Sequence, residues 1–145
     1  MIVKKLRTPF VFLAILIPLA QPGAAQAENL AGVPTLGPQW GSSWIDLDPP
    51  IDFAKGERLK IAMGGNATRI LVRLLPKGVS PETSEGIIGG VIKVPRSRVV
   101  EIKLAESRKQ IVQISVHGGP SPWGKFQLGE NNEPATIDSV ERLKR

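Results

Sequence analysis

The chain has 145 residues, a formal net charge of +6 and no cysteine. Without thiols it forms no disulfide, no thiolate metal site, no cysteine nucleophile and no lipid-modified N-terminal cysteine. Its basic residues are scattered rather than gathered into a stripe, which argues against a nucleic-acid partner.

The N-terminus has the order of a secretory leader. Lys4, Lys5 and Arg7 supply a positive start, residues 10–20 (FVFLAILIPLA) are apolar, and Ala25-Gln26-Ala27 places small residues where a signal peptidase reads. A spanning helix needs about 20 apolar residues, so this run is too short to anchor. No later run is long enough, and no transmembrane segment is expected in the processed chain. There is no twin-arginine pair, which favours the general export route. Residues 1–27 are therefore expected to be removed, leaving a mildly basic protein that starts near Glu28. It is expected to be periplasmic or secreted, and a small exported domain without disulfides suits a bacterial periplasm.

Residues 28–45 (ENLAGVPTLGPQWGSSWI) are rich in Gly, Pro and Ser and show neither a 3.6 nor a 2 period. They read as a mobile or loosely docked segment carrying Trp40 and Trp44. Residues 46–145 form the domain proper. Alternation predicts a strand over 57–63, with Leu59, Ile61 and Met63 on one face, followed by a Gly64-Gly65-Asn66 turn. Residues 69–75 put Ile70, Val72 and Leu74 inward and Arg69, Leu71 and Arg73 on the other face. After a polar loop, 87–94 reads as a strand bent or bulged at Gly89-Gly90. Val100, Ile102 and Leu104 point inward from the next strand. Residues 111–117 set Val112, Ile114 and Val116 against Gln113, Ser115 and His117. Short strands are expected at 126–128 and 136–143. Ile137, Val140 and Leu143 also fit a short helix capped by Thr136 or Asp138. A closing strand is preferred, because strands recurring at short intervals point to an all-β antiparallel sandwich, jelly-roll or immunoglobulin-like.

Several residues are candidates for chemistry. His117-Gly118-Gly119-Pro120 resembles the oxyanion-hole segment of the α/β-hydrolase and prolyl-oligopeptidase families. That resemblance implies a hydrolase using His117, but the Gly-x-Ser-x-Gly elbow is missing and Gly41-Ser42-Ser43-Trp44 is no substitute. A strand end followed by a Gly-Pro turn is the plainer reading, and no enzyme is expected. One histidine and no cysteine cannot build a conventional zinc site. Calcium needs oxygen ligands, and Asp46, Asp48 and Asp52 lie close together in IDLDPPID, with a polar loop at Glu130, Asn131, Asn132 and Glu133. The spacing is not that of an EF-hand. Trp123 sits in a loop stiffened by Pro120 and Pro122, suited to stacking on a sugar ring or to plugging the end of the sandwich. If the strands of residues 69–75 and 111–117 share a sheet, Arg69, Arg73, Gln113, Ser115 and His117 form a polar surface for a carboxylate, sulfate or sugar hydroxyls.

The layout from residue 50 to 144 resembles the galactose-binding-like jelly roll of many carbohydrate-binding modules. Phe53-Ala54-Lys55-Gly56-Glu57 is similar to the opening of such modules, and residues 135–143 (ATIDSVERL) resemble their closing strand. The resemblance implies a binding module rather than an enzyme, and the stiff Trp123 loop with the arginine face points to a carbohydrate or acidic glycan as its ligand. A structural or adaptor role in a bacterial envelope assembly is the alternative, with an envelope protein as partner.

Overall fold

The computed structural model describes residues 26–30, 34–36 and 42–144. The leader up to residue 25 and Trp40 lie outside them. The described residues form nine strands and no helix. In chain order these are β1 (Gln26–Asn29), β2 (Thr35–Leu36), β3 (Ser42–Phe53), β4 (Arg58–Gly65), β5 (Arg69–Pro76), β6 (Ile87–Lys93), β7 (Val99–Lys103), β8 (Arg108–His117) and β9 (Ala135–Lys144). They pair antiparallel in two sheets, ordered β1-β9-β4-β7 and β2-β3-β8-β5-β6. The protein is a β-sandwich.

The core lies between the sheets. Leu59, Ile61 and Met63 of β4, Val100 and Ile102 of β7, and Ala135, Ile137 and Val140 of β9 meet Ile45, Leu47 and Phe53 of β3, Ile70, Val72 and Leu74 of β5, and Ile114 and Val116 of β8. Each such side chain contributes about 1.5–3 kcal/mol when fully buried. The Ser43 hydroxyl reaches across the gap and accepts a hydrogen bond from the Ile137 amide at 3.1 Å, which ties the sheets together inside the core.

Bulges break the simple alternation in three places. Between Ile137 and Ser139 the register of β9 on β4 shifts, with Asp138 as the extra residue. Ile137 and Val140 therefore both face inward from a strand, and the apparent helical spacing has this origin. Beyond the bulge it is Arg142, opposite Leu59, that follows Val140 inward, while Leu143 lies opposite the exposed Arg58. In β8, Gln113 pairs with Leu75 of β5 but Ile111 with the next residue, Pro76, so Val112 is the extra residue, half-buried, and Ile111 enters the core. In β6, Ile70 pairs with Ile92 and Val72 with Ile88, and the surplus residues include Gly89 and Gly90 at φ 72° and 63°. The expected bend is there.

Two further expectations from sequence, on where strands lie, differ from the structure. Residues 42–45, read as part of the loose N-terminal segment, begin the longest strand, because Ile45 and Ser43 are needed inside the sandwich. Residues 126–128 are not a strand. Phe126 donates its amide to the Trp123 carbonyl at 2.8 Å, closing a turn, and Leu128 is buried.

Candidate functional site

Over β5 and the end of β8 the outer face of the five-stranded sheet is not open, although it is exposed at Asp46 of β3. Leu71, Arg73 and Leu75 project from β5, and Ser115 and His117 from β8, away from the core, yet all are buried. Loops 77–86 and 118–134 roof them, and the buried Leu128 lies in the second. The strands pair as the polar-face argument required, with Arg73 opposite Ser115 and Leu71 opposite His117. The surface expected to meet solvent is nonetheless covered, because Leu71 and Leu75 alternate with the polar residues and demand shelter.

Three contacts define the site. The Ser115 hydroxyl and His117 Nε2 are hydrogen-bonded at 2.9 Å. The Trp123 ring meets the imidazole edge-on, with centroids 5.2 Å apart. The Arg73 guanidinium stands 5.4 Å from the centre of that indole, within cation–π range. Arg73 Nη1 also donates to the carbonyls of Pro81 at 2.7 Å and Thr83 at 2.8 Å, and Trp123 Nε1 donates to the Glu82 carbonyl at 3.1 Å. Strand, loop 77–86 and indole are thus bound to one another through Arg73 and Trp123. Trp123 is half-buried, a roof over this cluster rather than a free-standing platform.

The electrostatics follow from burial. His117 is 6 % exposed, and its pKa falls to about 4, first through desolvation and then through the charge of Arg73. At neutral pH the imidazole is uncharged. Burial likewise lowers the pKa of Arg73. Two nitrogens here lack a hydrogen-bond partner, Arg73 Nε and His117 Nδ1.

Loop 118–134 owes its position to Gly118 and Asn132. A Cβ on Gly118 would run into the backbone of Glu133, Pro134 and Ala135, so only glycine lets the chain leave β8 past the start of β9. Gly119 donates its amide to the Glu133 carbonyl at 2.8 Å. The His-Gly-Gly run is thus a close backbone crossing, and the Gly119 amide that an oxyanion hole would use is committed elsewhere. No carboxylate orients His117, since Nδ1 is unpartnered. Asn132 Oδ1 accepts from the amides of Thr68 at 3.1 Å and Arg69 at 3.2 Å, and Nδ2 donates to the Arg69 carbonyl at 2.8 Å. Sequence reading placed Asn132 in a polar loop and missed this anchoring role. The signal was only a pair of asparagines, Asn131 and Asn132, in a polar loop.

The remaining candidates lie apart from the cluster. Arg69 is exposed at the start of β5, beside Asn132. Gln113 is half-buried and donates to Asp46 Oδ1 at 3.2 Å. Asp52 accepts from the Gln110 amide at 2.7 Å. Asp46, Asp48 and Asp52 are not brought together as ligands, and among the described residues no group of three or more His, Asp or Glu side chains is placed to hold a metal ion. Comparison with protein-family models, with characterised proteins and with solved structures gives no match to this chain.

Proposed function

We propose that the protein is an exported, non-catalytic binding module on a jelly-roll frame, and that it takes a carbohydrate or acidic glycan at the roofed face of the five-stranded sheet. The strand order supports the frame. Apart from the short β2, the strands divide as β1, β9, β4, β7 and β3, β8, β5, β6, so the chain crosses repeatedly between sheets as in paired Greek keys. The leader-like N-terminus supports export to the periplasm or beyond. Processing after Ala27 would leave Glu28 as the first residue, and its carboxylate lies 3.6 Å from Arg142.

One observation carries the ligand reading. Outside the core, an aromatic ring, a buried guanidinium and a neutral imidazole converge on one face, under a loop stiffened by Pro120 and Pro122. Aromatic rings stack on the apolar faces of sugars while polar side chains read hydroxyls and carboxylates. A glycan array of wild type and Trp123→Ala tests this. Binding to one glycan class that falls at least about tenfold in the variant is expected, in line with the loss of a buried aromatic contact. Equal affinity in both would remove Trp123 from the site. Because Asp46 and Asp52 are engaged within the protein, binding should persist when calcium is chelated.

An envelope adaptor role is the second reading. It rests on Val91, 41 % exposed on the edge strand β6, where a partner strand could add. Loss of a cross-linked envelope partner in Val91→Lys would support it, and an unchanged cross-link would count against it.

A further inference from the structure

Arg73 is a buried cation without an anion. Among the described residues the ion pairs join Arg58 to Glu101 and Arg142 to Glu28 and Glu57, and Arg73 joins none. Its side chain is held by two carbonyls and an indole ring, which engage Nη1 and one face of the group and leave Nε with no acceptor. Beside it, His117 is in the same condition. Nε2 is occupied by Ser115, and in the tautomer where Nε2 accepts, Nδ1 carries a hydrogen with nowhere to go. Orphaned donors at such burial are rare, and each costs the desolvation of its group. Arg98 Nε and Arg108 Nε also lack partners, but Arg73 and His117 are the two whose side chains stand on neighbouring strands and both against Trp123.

We propose that Arg73 Nε and His117 Nδ1 are the two donors of a carboxylate-binding site beneath Trp123, which selects acidic over neutral sugars. This rests on the glycan-binding reading for the sugar, and on the two orphaned nitrogens for the anion. A carboxylate offers one acceptor oxygen to each donor and supplies the countercharge that Arg73 lacks. Trp123 is the covering element. Its indole is held by one exposed hydrogen bond to the Glu82 carbonyl and by its contacts with the imidazole and the guanidinium, so a ligand must take over those two ring contacts to reach the nitrogens. The sugar ring attached to the carboxylate then meets the indole, and the two halves of the ligand are read by different chemistry.

The charged group that acts on His117 is Arg73, and the imidazole also meets the Ser115 hydroxyl and the Trp123 ring, with the uncharged Ser42 and Leu71 opposite it on the flanking strands. A bound carboxylate opposes the field of Arg73 and favours the imidazolium. The chain has one histidine, so its imidazole resonances report this site without ambiguity. The purified protein is titrated separately with D-galacturonate, acetate and D-galactose, following the imidazole resonances across pH. Galacturonate is expected to raise the apparent pKa of His117 saturably, by about one unit, the size of a nearby opposite charge. Galactose is expected to bind at least about tenfold more weakly, as for loss of one charge-assisted contact. An immobile His117 with both galacturonate and acetate would overturn the site. Neutral-sugar binding equal to galacturonate, with His117 unmoved, would overturn it while leaving the glycan reading intact. Acetate binding as tightly as galacturonate would uphold the anion site and remove the sugar. Arg73→Lys keeps the charge and loses Nε, and should weaken galacturonate about tenfold. If that variant fails to fold, the wild-type titration alone decides.

Discussion

The Ser115 hydroxyl lies 2.9 Å from Nε2 of His117, yet this pair sits under an indole and beside a guanidinium instead of in an open cleft. In a hydrolase, that bond would join nucleophile and base, and the imidazolium formed on proton transfer would be stabilised by a carboxylate. Here the charge nearest the imidazole is positive. The same arrangement makes His117 a strong contributor to pH-dependent stability.

The sign follows from the direction of the shift. The folded pKa of His117 is about 4, below the ordinary histidine value of 6.5. In that interval the unfolded chain binds a proton that the folded chain refuses. The contribution is complete above pH ~6.5 and is lost as pH falls towards 4, with a size on the order of 3 kcal/mol. Denaturant unfolding at a series of pH values should show this loss, and His117→Asn should flatten it. A wild-type profile flat from pH 7 to 5 would contradict the buried, neutral imidazole.

Arg142 closes the far end of the sandwich. Its Nε and Nη2 donate to the two Glu57 oxygens at 2.9 and 3.0 Å, Nη2 also reaches the Asp52 carbonyl at 2.6 Å, and the guanidinium stands 4.8 Å from the centre of the Phe53 ring. The hydrogen bonds from Arg142 hold the Glu57 carboxyl below its ordinary range, against desolvation. This stability is present above pH ~4.5 and is lost as pH falls further, a window more acidic than that of His117. Glu57→Gln should cost about 3 kcal/mol, because it leaves Arg142 with a weakened, neutral partner at a mostly buried site, and it should remove the acid limb. Thermal unfolding at pH 7 checks the cost. A melting temperature within a degree of wild type would show the pair to be dispensable.

Much of the sandwich was legible in the sequence. The reason is that β4, β5 and β7 alternate cleanly, and the inward sets Leu59–Ile61, Ile70–Val72–Leu74 and Val100–Ile102 follow directly. What was not legible has one physical origin. A bulge adds a residue without a sequence mark of its own, so Ile111 and Arg142 turned inward where period-2 counting favoured Val112 and left Arg142 unassigned. The site was half legible. Arg73, Ser115 and His117 share a face because strand parity dictates it, but their burial depends on where loop 118–134 lands, and no local pattern encodes that.

The bulge in β8 makes a direct prediction. Ile114→Asp places an unpaired carboxylate in the dry core and should prevent folding, since such a charge costs several kcal/mol. Ile111→Asp should do the same, while Val112→Asp, at a half-buried position, should leave a folded protein. Circular dichroism of the three variants separates the registers. An unfolded Val112→Asp beside a folded Ile111→Asp would mean that β8 alternates without a bulge.

The His-Gly-Gly run yields a second pair of variants. Gly118→Ala drives a methyl group into the backbone at Glu133 and Pro134, which cannot yield without moving β9, and should cost about 1–3 kcal/mol. Gly124→Ala meets open space within the same loop and should change stability by less than about 0.5 kcal/mol. Urea midpoints measure both. Equal midpoints for the two would show that Gly118 is not at a crossing.

Asn132 connects the roof to the sheet, and through the roof to the chemistry beneath it. Its side chain is shared among Thr68, Arg69 and Gly119, so Asn132→Ala cuts the tie between loop 118–134 and the start of β5 while removing nothing from the core. Global stability should fall by about 1–2 kcal/mol, the usual effect of losing a cluster of partly exposed hydrogen bonds. The local effect should be larger. With the loop less firmly seated, water reaches His117 more often, the desolvation that holds its pKa near 4 weakens, and the value climbs back towards the ordinary 6.5. Amide exchange in residues 118–134 should quicken in parallel. A variant with fast exchange in the loop but an unchanged His117 titration would mean that strand packing, not the roof, keeps the imidazole dry.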